Sequence, residues 1–102
     1  MNNTILVVED EDKLRRVLQL QLQSGGFNVL QAATAEEGLK LADGADLVLT
    51  DLKLPGMDGL ELLESLRRQN STTPVIVMTA YASVEKAVEA VHTRLLIAMK
   101  SS

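Results

Sequence analysis

Apolar and polar positions alternate between two rhythms along the chain. Ile5-Leu6-Val7-Val8 is an unbroken apolar run rich in β-branched residues, as expected of a strand buried on both faces. From about Asp12 the rhythm becomes helical, with Leu14, Val17, Leu18 and Leu22 on one side, until Gly25-Gly26 closes the helix. Phe27 to Gln31 reads as a second strand. Thr34-Ala35-Glu36-Glu37 is a capping box that predicts a helix to about Ala42. Asp46 to Asp51 forms a third strand with an apolar centre, and Pro55-Gly56 breaks the chain after it. Asp58 can cap a third helix, which runs through Leu62, Leu63 and Leu66 to about Arg68. A polar loop, Gln69 to Thr73, leads through Pro74 into a fourth strand, Val75-Ile76-Val77-Met78. Ser83 can cap a fourth helix carrying Val84, Ala87, Val88 and Val91.

The order is β-α-β-α-β-α-β-α. Strands alternating with helices imply right-handed crossovers and a parallel sheet covered on both faces. The length of 102 residues suits one domain spanning 1–102, and no repeat, linker or low-complexity tract divides it. Phe27 and Tyr81 are the only aromatic residues, so the core must be aliphatic. There is no cysteine, which removes disulfides, thiolate metal sites and cysteine nucleophiles. The net charge is −4 and the basic residues are scattered, which argues against direct nucleic-acid binding. No apolar run reaches membrane-spanning length and the N-terminus is unlike a signal peptide, so a soluble, cytoplasmic protein is expected.

Ligands of open parallel sheets bind beyond the carboxyl ends of the strands. The first strand is followed by Glu9, Asp10, Glu11 and Asp12, the third ends in Asp51, and the fourth is followed by Thr79. Acids from two strands should therefore meet one hydroxyl at a common edge, with no arginine or histidine close by. Taken singly, an acid after a strand is usually a helix cap or a solvated loop residue, and Asp12 and Asp58 are expected to be caps. A lone threonine there is most often a turn residue. As a set, crowded carboxylates raise one another's pKa unless a cation neutralises them. Mg²⁺ suits one or two carboxylates, water and phosphate oxygens. A carboxylate beside such an ion is an arrangement that forms aspartyl phosphates.

Three segments, ILVVEDE, LVLTDLKLPGMDGLELL and TPVIVMTAYAS, resemble the receiver domains of two-component response regulators from about Thr4 to Val91. The wording of the last two is most similar to receivers of NtrC-type enhancer-binding transcription activators. The resemblance implies a flavodoxin-like, doubly wound sheet of order 2-1-3-4. It implies that Asp51 is the phosphoacceptor, that Glu9 and Asp10 form the acidic pair of a Mg²⁺ site, and that the Lys53 backbone carbonyl completes the metal shell. Thr79 then contacts the phosphoryl group and moves on activation, while Tyr81 and Lys53 tune its lifetime by gating water. The implied donor is a phosphohistidine on a sensor histidine kinase, and the implied output domain is absent from this chain. The domain is then a switch rather than an enzyme. A phosphatase with an aspartyl intermediate is disfavoured because Lys53 stands where its second aspartate would be, and no glycine-rich phosphate loop follows the first strand.

The pattern departs from the family after Val91. A fifth strand ending in Lys-Pro and a fifth helix are missing or degenerate, and residues 92–102 form an atypical tail. Either the fourth helix continues through Leu95, Ala98 and Met99, the reading we favour, or Leu95 to Met99 is a degenerate fifth strand that brings Lys100 to the family's lysine position. His92 is then a helix-surface residue. Loss of the fifth strand should leave the fourth as an open edge, and loss of the fifth helix should uncover apolar surface under the first strand. Homodimerisation through the fourth helix and C-terminal region is the expected consequence. The alternative function is a phosphorylation-impaired receiver-like module acting through that dimer.

Overall fold

The first apolar run becomes β1 (Thr4–Val8), which leads into helix α1 (Asp12–Ser24). Next come β2 (Asn28–Ala32), α2 (Ala35–Leu41) with a 3₁₀ turn at Ala42–Gly44, and β3 (Leu47–Asp51). The chain continues through α3 (Gly59–Arg68), β4 (Val75–Met78) and α4 (Val84–Ser101). This computed structural model describes residues 3–79 and 83–101, with side chains described through Leu95. The four strands are parallel, in the order β2-β1-β3-β4. This is the doubly wound order that the family resemblance implies.

Side-chain alternation sorts the strands into two core layers. Ile5, Val7, Leu47, Leu49 and Met78 point towards α1 and α4, where they meet Leu18, Leu22, Ala87 and Val91. Leu6, Val8 and Val48 point the other way, towards α2 and α3, where they meet Ala35, Leu62 and Leu66. The central strands are thus wrapped on both sides, which explains why β1 is apolar at every position from Ile5 to Val8.

Local chemistry starts and stops the helices largely where the sequence indicates. Thr34 Oγ1 accepts from the Glu37 N–H, Asp58 Oδ1 from the Glu61 N–H, and Ser83 Oγ from the Lys86 N–H. Helix α1 ends in a Schellman turn: Gly26 at φ +93° donates to the Gln23 carbonyl, and the Phe27 N–H donates to that of Leu22. Asn70, at φ 61°, does the same for α3, and Arg67 pins the following loop by donating to the Ser71 and Thr73 carbonyls. Asp12 is a correction. The N-cap of α1 is Glu11, which makes no side-chain capping bond, while Asp12 sits in the first turn and pairs with Arg15 at 2.7 Å.

The C-terminal part decides the architecture. Leu95 to Met99 continue α4 and form no fifth strand, so the Lys100 backbone lies in the last turn of a helix rather than at a strand end. Strand β4 is a sheet edge. The expected bare surface beneath β1 does not exist, because Ile5, Leu6, Val7 and Val8 are all fully buried. Helix α4 packs beside α1 and covers that layer with Ala87 and Val91, with half-buried Val84, Val88 and Leu95 against it. Among the described residues no helix is long and apolar enough to cross a membrane.

Candidate phosphoryl and metal site

The parallel sheet brings the ends of β1, β3 and β4 to one edge. Backbone bonds fix the relative heights there: the Glu9 N–H donates to the Ala32 carbonyl and the Leu52 N–H to the Met78 carbonyl. Glu9 is buried, Asp51 is half-buried, and Asp10 and Thr79 are exposed. Carboxylate oxygens of Glu9, Asp10 and Asp51 lie within 4.8 Å of one another. Asp51, Glu9 and Thr79 share the lining of one cavity, together with Ser83. The Lys53 N–H reaches Asp51 Oδ1 at 3.4 Å, which is a weak bond but sets the loop close to that carboxylate. Tyr81 lies outside the described residues.

Three acids this close form an electrostatic problem, and among the described residues no lysine, arginine or histidine forms an ion pair with them. Burial pushes the Glu9 carboxyl up from 4.5 to about 7, opposed by its bond from the Glu11 N–H and reinforced by the neighbouring Asp10 and Asp51. The donor set is all oxygen, which suits a hard divalent cation. Contrary to the sequence expectation, an arginine is near. Arg15 donates to the Glu9 carbonyl at 2.8 Å and to Asp12 Oδ1 at 2.7 Å, so it braces the loop after β1. The signal was present in the three-residue spacing of Asp12 and Arg15, which places both on one side of the first helical turn. Ser83 was read only as a cap, yet it also lines the cavity.

The raised Glu9 pKa has a direct consequence for stability. The folded protein holds the Glu9 proton more tightly than the unfolded chain does. Its contribution is therefore complete below about pH 4.5 and is lost as pH rises through about 7. In chelator, wild type should lose roughly 2 kcal/mol across that window relative to Glu9→Gln, measured by urea unfolding. Millimolar Mg²⁺ should shrink the loss. A wild type that gains stability relative to Glu9→Gln over this range would refute the assignment.

Comparison with known proteins sets this geometry in context. Residues 5–96 match the response regulator receiver domain model. The uncharacterized transcriptional regulatory protein YkoG of Bacillus subtilis is 50% identical over 82 residues, 78% of this chain and 36% of that protein. The regulatory protein AtoC of Escherichia coli is 46% identical over 92 residues, 88% of this chain and 20% of that protein. The chain thus spans a minor part of these relatives. The solved response regulator TrrA of Thermotoga maritima, in complex with Mg²⁺-BeF, is 37% identical with a TM-score of 0.73, covering 80% of this chain and 72% of that one. The chain belongs to the response regulator receiver domain family.

Proposed function

We propose that this receiver accepts a phosphoryl group on Asp51 from the phosphohistidine of a sensor histidine kinase, with Mg²⁺ held by Glu9, Asp10, Asp51 and the Lys53 carbonyl. The observation that carries the reading is the meeting of three carboxylates within 4.8 Å beside Thr79, at the carboxyl edge of the sheet. A solved relative in complex with Mg²⁺-BeF supports the metal. An Asp51 oxygen forms the new P–O bond as the P–N bond to histidine breaks, and the imidazole nitrogen leaves with the electron pair and is protonated by solvent. When bound by these residues, the ion would offset negative charge on the transferring group. The Thr79 hydroxyl donates a hydrogen bond to a phosphoryl oxygen, and its movement biases a two-state element near the start of α4. Lys53 and Tyr81 limit the approach of water. The cytoplasm is the setting this role requires, and transcription is the output in keeping with the relatives.

Intact-mass measurement after incubation with acetyl phosphate and Mg²⁺ tests the reading. One phosphoryl group should be gained, none in chelator and none in Asp51→Asn. No gain by wild type would overturn it.

The helical course of Leu95 to Met99 favours a second reading, because no strand carries Lys100 to the site. The module would then be phosphorylation-impaired and would act as a homodimer through the edge of β4 and the C-terminal part of α4. A dimer indifferent to Mg²⁺ and phosphodonor in light scattering supports this reading, and a monomer refutes it.

A further inference from the structure

We propose that Arg15 is a positioning residue for Mg²⁺: from outside the acidic cluster it sets the turn that presents Glu9 and Asp10, and so decides how tightly the ion is held. The inference rests on the Mg²⁺ reading above and adds to it a residue that is not one of the three clustered acids.

The chain passes from β1 to α1 through Glu9, Asp10 and Glu11. On the strand side this turn is anchored by the Glu9 N–H, which donates to the Ala32 carbonyl. On the helix side no side-chain cap holds it, because the N-cap residue Glu11 makes no capping bond. Arg15 supplies the anchor from one turn further on. Its guanidinium donates to the Glu9 carbonyl at 2.8 Å and to Asp12 Oδ1 at 2.7 Å. That carbonyl belongs to the peptide unit joining Glu9 to Asp10. The unit is planar, so holding its oxygen fixes the direction in which the chain leaves Glu9 for Asp10. Glu9 Oε2 accepts from the Glu11 N–H, so the Glu9 carboxylate is tied to the same turn.

The two bonds of Arg15 are unequal. The Asp12 side chain is 87% exposed, and water screens its ion pair with Arg15. The bond to the Glu9 carbonyl is part-buried and charge-assisted, and the Arg15 side chain is only 18% exposed. The brace is therefore the carbonyl bond.

Charge alone predicts the opposite effect on the ion. A guanidinium near an acidic cluster repels a divalent cation, so its removal should tighten Mg²⁺ binding. Removal of a brace should weaken it, because Mg²⁺ demands near-octahedral ligands. Ca²⁺ tolerates irregular ligand placement and should suffer less. The direction of the change, and the difference between the two ions, separate a brace from a bystander charge.

The test titrates Mg²⁺ and Ca²⁺ into metal-free wild type, Arg15→Gln, Arg15→Lys and Asp12→Asn without phosphodonor, read from backbone amide resonances. Arg15→Gln should weaken Mg²⁺ binding about tenfold, and Ca²⁺ binding less. Arg15→Lys keeps the charge but not the fork, and should fall between wild type and Arg15→Gln. Asp12→Asn keeps an oxygen acceptor and should stay within about twofold of wild type. In chelator, the Glu11 amide of Arg15→Gln should exchange with solvent severalfold faster than in wild type, while the amides of Val7 and Leu49 stay protected and report an intact core. If Arg15→Gln does not fold, Arg15→Lys carries the same comparison. Unchanged or tighter Mg²⁺ binding by the folded variant, with wild type binding normally, overturns the proposal and leaves the Mg²⁺ reading standing. Equal losses for Mg²⁺ and Ca²⁺ also overturn it. A wild type that binds no Mg²⁺ overturns the Mg²⁺ reading and the proposal together.

Discussion

Replacing Val91 by aspartate is expected to cost about 3–5 kcal/mol, a large fraction of the stability of a domain this size. Val91 is fully buried among the aliphatic side chains of the layer formed by α1, α4 and the sheet. Its partners include Ile5 and Val7 of β1 and Leu18 and Leu22 of α1. A charge at this point either forces α4 off the sheet, which wets the central strand, or stays buried without a counter-ion. Urea unfolding followed by circular dichroism measures the loss. Glu89→Ala, at an exposed position of the same helix, should change stability by no more than about 0.5 kcal/mol. If Val91→Asp matched Glu89→Ala, α4 would not be the cover of β1.

Gly59→Ala should be nearly as damaging, by about 2–3 kcal/mol, although alanine is the better helix former by roughly 1 kcal/mol. A Cβ at Gly59 would strike the Asp51 carbonyl oxygen and lie 3.1 Å from Leu52 Cα. Both obstacles are backbone, held in place by the Gly59 N–H bond to the Leu52 carbonyl and by the pairing of β3 with β4. No side chain can swing aside, so α3 must lift from the end of β3. That end carries Asp51, and the variant should therefore also accept the phosphoryl group more slowly than its residual folded fraction explains. Thermal unfolding and intact-mass kinetics on the same samples separate the two effects. Unchanged stability would show that α3 has slack at its first residue.

The strands and three helix caps could be read from the chain because each depends on a few adjacent residues, whereas the strand order came from the family resemblance. An apolar run such as Val75 to Met78 has few alternatives, and Thr34, Asp58 and Ser83 act within one turn. The acidic site followed from topology, since parallel strands must end at one edge. Two features were hidden because their partners are not set by residue type or periodicity. Periodicity shows that α4 has an apolar side but not which layer of the sheet receives it, and so its cover over Ile5 and Val7, in place of a fifth helix, was missed. The spacing of Arg15 from Asp12 signalled their ion pair, but its second acceptor, the Glu9 backbone carbonyl, is one that no residue type advertises. Asp12 was misjudged by one position, the difference between a cap and a first-turn ion pair.

The junction of α1 with α4 joins the two ends of the chain. Ile5 and Val7 are sealed from water only when Val91 arrives, although both are made long before it. During synthesis the central strand must wait with one oily side open, a natural target for chaperones. Closing so long a loop costs chain entropy before the contact rewards it, which slows folding.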